Sequence, residues 1–73
     1  MKVRDIKAVL EPLGILCGVN LYAGEPTGSW HAVSIRKGYA QLAIRAIERA
    51  GGHASHAYAF GPYSESINIR RGK

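Results

Sequence analysis

The sequence predicts an α+β two-layer sandwich: a four-stranded, mostly antiparallel sheet with two helices on one face, in the order α-β-β-α-β-β. Three observations carry that expectation. From Ser29 to Arg36 the chain alternates without a break, with Trp30, Ala32, Ser34 and Arg36 on one side and His31, Val33 and Ile35 on the other. That period of two belongs to a half-buried strand. Residues 39 to 50 space apolar side chains as a helix does and stop at Gly51-Gly52. Two further alternating arms flank Gly61-Pro62-Tyr63 and read as a hairpin. At 73 residues the chain is one domain, 1–73. A domain of this size buries only about 60 to 65 per cent of its surface. A homodimer would cover sheet edges and add buried apolar area.

Residues 3 to 13 read as the first helix, since Val3, Ile6, Val9 or Leu10, and Leu13 recur at helical spacing. Asp5 suits the N-terminal end, where the helix dipole favours a carboxylate. Pro12 kinks or ends the helix because it lacks an N–H, and Gly14 supplies a stop. Residues 15 to 23 read as a strand with Ile15, Cys17, Val19 and Leu21 toward the core and Leu16, Gly18, Asn20 and Tyr22 opposite. On that reading Cys17 is a buried, inert thiol. Gly24 to Gly28 is dense in turn formers and forms a hairpin loop before the second strand, which Lys37-Gly38 ends.

In the second helix Tyr39, Leu42, Ala43, Ala46, Ile47 and Ala50 make the apolar stripe, with Ile44 beside it toward the first helix. His53 to Phe60 and Ser64 to Arg71 form the last two arms. In the final arm Glu65, Ile67 and Ile69 alternate with Ser66, Asn68 and Arg70. In the arm before it His56, Tyr58 and Phe60 alternate with Ser55, Ala57 and Ala59. Periodicity does not set the order of the strands.

Ten Lys and Arg stand against five Asp and Glu, a formal charge of +5. The basic residues group at both ends: Lys2, Arg4 and Lys7, then Arg70, Arg71 and Lys73. A positive field speeds encounter with polyanions, although charge of this size also serves solubility. The single cysteine rules out an internal disulfide and a Cys-rich zinc site. With no signal-peptide pattern and no apolar run of transmembrane length, the chain reads as cytoplasmic and without a membrane partner. His53 and His56 lie three apart but follow two glycines into an extended pattern, so no metal site is predicted. The glycines lack the order of a phosphate-binding loop, and no cofactor is predicted.

If the aliphatic positions face the helices, the opposite face gathers Tyr22, Trp30, Arg36, Asn68 and Arg70, and the tail adds Arg71 and Lys73. Asn20, Ser34, Ser66, Ser55, Ala57 and Ala59 fill the rest of that face. Aromatic rings, amides and arginines are what a sheet uses to hold RNA or another single strand, since unstacked bases lie on rings and guanidinium groups meet phosphate. The first expectation is therefore a small basic nucleic-acid-binding protein.

The same residues suit a protein-binding module or an inhibitor of a host or partner complex, such as one encoded by a mobile genetic element. Trp30 also suits packing within the chain or a seam between two copies. A third reading is a small histidine-dependent ribonuclease with His31 as general base, because an imidazole titrates near neutrality. Met1 to Ile6 through Leu10, Glu11 and Gly14, with Gly28, Ser29 and His31, loosely resembles the small ribonuclease toxins of the HicA type over less than half the chain. In that family a glycine–serine–histidine segment carries the catalytic histidine, which would fall near His31. Here Trp30 interrupts the segment and a hairpin follows the second helix. The chain is expected not to be an enzyme, and no catalytic residue is assigned.

Overall fold

The computed structural model describes residues 1–21, 30–59 and 62–70, with the strand ends 19–21 and 58–59 described as backbone only. Helix α1 spans Val3–Leu10 and runs into a 3₁₀ turn, Glu11–Leu13. Strands β1 (Leu16–Leu21) and β2 (Trp30–Arg36) follow, then helix α2 (Ala40–Arg49), then β3 (Ala54–Ala59) and β4 (Ser64–Arg70). All pairings are antiparallel, and the sheet order is β1-β2-β4-β3. The fold class is the one the sequence predicts. The order is also in place: β4 inserts between β2 and β3, so β2 and β4 form the centre of the sheet.

Local chemistry explains the first helix. The Asp5 carboxylate accepts the Lys2 N–H at 3.2 Å, satisfying a donor that the helix itself leaves open. Pro12 sits in the first positions of the 3₁₀ turn, where a missing N–H costs little. Gly14 closes the turn at φ +71°, in the left-handed region that favours glycine. A 3₁₀ turn advances three residues per turn, so Leu13 leaves the α-helical stripe and is 43% exposed rather than buried.

The core lies between the sheet and both helices. Ile6 and Leu10 from α1, Ile47 from α2, Val33 and Ile35 from β2, and Ile67 and Ile69 from β4 are fully buried. Each contributes about 1.5 to 3 kcal/mol relative to exposure. The burial of β2 alternates along its whole length, as its sequence predicts. Helix α2 packs across β2, β3 and β4, while α1 packs on β1 and α2. The shortest dimension of the molecule, 17 Å, leaves room for one helix layer of about 10–12 Å diameter on one sheet. Among the described residues no helix is long and apolar enough to cross a membrane.

Two further expectations are corrected. Cys17 is exposed, not in the core. Leu16 pairs with Ile35 and Gly18 with Ser34, so two residues of β1 span one step of β2 and Cys17 is the extra residue of a β-bulge. The bulge moves Leu16 to the core side, where it is partly buried. The packed stripe of α2 is also turned. Ala40, Ala43 and Ile47 are buried, whereas Tyr39 and Leu42 are 42% and 47% exposed. Tyr39 is the N-cap, with non-helical dihedral angles, and the helix begins at Ala40. Small residues at 40 and 43 let the helix axis approach the sheet. Ile44 is partly buried against the core.

Candidate functional site

Residues paired across a sheet point to the same side, so the register defines the helix-free face. Trp30 pairs with Arg70, Ala32 with Asn68, Ser34 with Ser66 and Arg36 with Ser64. On the outer side of β4, Ser55 pairs with Asn68. Trp30, Asn68 and Arg70 therefore converge at one end of this face. The Arg70 guanidinium lies over the Trp30 ring, 5.4 Å from its centroid, within cation–π range. Trp30, Asn68, Ala32 and Ser34 are half-buried, and Arg70 is exposed.

Arg36 shares the face but stands at the far end of β2. It lies six steps along the strand from Trp30, about 20 Å at the rise of a strand. Its guanidinium lies 5.9 Å from the centroid of the Tyr39 ring. Tyr39 was expected in the packed stripe and not in a site. The signal that places it beside Arg36 is its position just ahead of the helix, at a tight turn that also contains Gly38 at φ +91°. Tyr63, 83% exposed, precedes Ser64, the register partner of Arg36.

The other expected site residues divide. Tyr22, Arg71 and Lys73 lie outside the described residues. The open-face residues Asn20 and Ala59 belong to strand ends described as backbone only. Ser66 holds its expected register on the open face but is only 3% exposed, in a strand with a neighbour on each side.

Charge on the two sides differs. Among the described residues the helix-free face of the strands carries no carboxylate. Asp5, Glu11 and Glu48 lie in the helical segments. Glu65 pairs with Ile35 on the helix side, where its carboxylate is held at both oxygens. Oε1 meets His56 Nε2 at 2.9 Å, and Oε2 accepts the Gly38 N–H at 2.6 Å. The hydrogen bond to His56, then the Gly38 amide, hold the Glu65 carboxyl below its ordinary value.

His31 faces the helices and is 4% exposed. Its Nε2 lies 3.1 Å from the Met1 carbonyl oxygen. A carbonyl only accepts, so that nitrogen carries the proton and donates it. Near this end a groove of about 460 Å³ opens between the start of α1 and the Gly51-Gly52 turn, bordered by Asp5, Val9, His53 and Arg70. Among the described residues no cluster of three His, Cys, Asp or Glu side chains is placed to hold a metal. The chain matches no family model, no curated protein and no solved structure.

Proposed function

We propose that the protein binds single-stranded nucleic acid, RNA among the candidates, on the helix-free face of its sheet. The observation that supports this most directly is the Trp30–Arg70 pair on a face without a described carboxylate. A ring with a guanidinium already against it offers a stacking surface and a phosphate contact in one place. Asn68 adds an amide donor and acceptor beside the pair, and Arg36 adds a second cation. The formal charge of +5 favours a polyanionic partner over an acidic-surface mimic of nucleic acid.

The test is titration of the protein with a short labelled oligonucleotide at several salt concentrations, read by its anisotropy and by Trp30 fluorescence. Binding quenches Trp30 and weakens with salt. Replacing Trp30 with alanine costs about 1 to 3 kcal/mol, the worth of one base stacked on a ring. Arg70→Ala lowers the slope of log affinity against log salt by about 0.7, the value for one phosphate contact on a single strand. No binding at low salt overturns the reading and leaves the same rings and arginines to a protein partner. The ribonuclease reading gains no support from His31, which faces the helices and not the surface where a strand would lie.

A further inference from the structure

Resting on that reading, we infer that the face holds its ligand at two ends, with Tyr39 and Tyr63 forming a second stacking platform around Arg36. The ligand is then a single strand contacting the protein over at most about six nucleotides. Three backbone ties gather this second end. The Tyr39 N–H donates to the Arg36 carbonyl at 3.0 Å, the Lys37 N–H donates to the Tyr63 carbonyl at 3.0 Å, and Arg36 pairs with Ser64 in the sheet.

Burial does not account for either tyrosine. Tyr39 lies off the packed stripe of α2, and Tyr63 is almost wholly exposed. The Arg36 guanidinium, 5.9 Å from the centroid of the Tyr39 ring, repeats the cation–ring chemistry of the Trp30–Arg70 end, and the backbone tie from Lys37 holds Tyr63 at the same end. Between the ends the floor is low, because Ala32, Ser34 and Ser66 are small. The nearest described acid to this corner, Glu65, is turned to the helix side and clasped by His56 and the Gly38 amide. A polyanion therefore passes from one end to the other without meeting a described carboxylate.

The spacing sets the length. The ends are about 20 Å apart along β2. Stacked nucleotides advance about 3.4 Å each, so about six cover the track, and a stretched strand needs fewer. A duplex does not fit this scheme, because its bases are stacked on the neighbouring pairs and leave no π-face for the rings.

The experiment compares unlabelled deoxythymidine oligomers of two to twelve nucleotides against the intact chain and its variants. Affinity should climb steeply to about six nucleotides and then rise only slowly. The Tyr39→Ala/Tyr63→Ala pair should weaken the six-mer at least fivefold, the least that loss of one stacked base implies, and weaken the trimer less. Tyr39→Phe/Tyr63→Phe keeps both rings and should keep the affinity. It also tests the platform if the alanine pair fails to fold, because a large loss with phenylalanine contradicts stacking. An unchanged six-mer affinity in the alanine pair overturns the second platform while the Trp30 end stands. Failure of every oligomer to bind the unaltered chain overturns the underlying reading instead.

Discussion

Gly52 carries no side chain because there is no room for one. A methyl group there would lie 2.7 Å from Ile47 Cγ2, 2.9 Å from Met1 Cε and 3.3 Å from the Ile47 carbonyl oxygen. Met1 is the end of a long, adaptable side chain, but Ile47 is fully buried and fixed by the sheet. Gly52→Ala should lower stability by roughly 1 to 3 kcal/mol, the usual cost of overpacking, as read from urea unfolding midpoints. Gly18→Ala is the control, because its added methyl meets nothing within 4 Å. Equal stability of the two variants would contradict the packing of the Gly51-Gly52 turn against α2. Cys17 makes the complementary point about single residues. Its apolar neighbours on both sides implied a core position, yet a bulge places it outside. Period-two patterning assumes an unbroken ladder, and one inserted residue shifts it: Cys17 leaves the core side and Leu16 joins it opposite Ile35.

At the scale of elements, the strands with a uniform ladder were legible in full. β2 and the apolar side of β4 bury the residues that alternation selects. Helix α2 was legible in extent but not in phase. Its sequence reads as a stripe through Tyr39, Leu42, Ala43, Ala46, Ile47 and Ala50, of which Ala43 and Ile47 are buried, while a stripe turned toward Ala40 leaves Tyr39 and Leu42 exposed. The close approach of α2 to the sheet selects the turned stripe. That difference in phase is why Tyr39 read as core and its partnership with Arg36 was missed.

The Glu65 clasp was also hidden, because it joins residues from three elements with no common period. It ties β3 to β4 and both to the turn before α2. A carboxyl held below its ordinary value of 4.5 stabilises the fold fully above that value, and the contribution is lost as pH falls through the lower folded value. Urea unfolding between pH 7 and 3 should show the unaltered chain losing more stability than Glu65→Gln across that acid range. Parallel pH profiles would contradict the clasp.

For the molecule as a whole, two helices pack on one side of the sheet, and among the described residues the other side carries no helix. The one-sided arrangement follows from composition: there are enough large aliphatics to bury one sheet face, and the positions between them are Trp, Ala, Ser, Asn and Arg. The sequence alone put Trp30, Asn68 and Arg70 on one face, because the strands that carry them alternate cleanly, but only the pairing of β2 with β4 brings them to one end of it. It was insufficient to measure the distance to Arg36 or to find the tyrosines at that end, which depend on turns and strand order.

The central claim, that the helix-free face is the ligand surface, is tested most directly by following the backbone amide and Trp30 indole resonances while a six-nucleotide single strand is added. The predicted result is progressive shifts at Trp30, Ala32, Ser34, Asn68 and Arg70, with Ile6, Leu10 and the exposed side of α2 unmoved. Shifts confined to α1 and α2, or none at all at low salt, would contradict it.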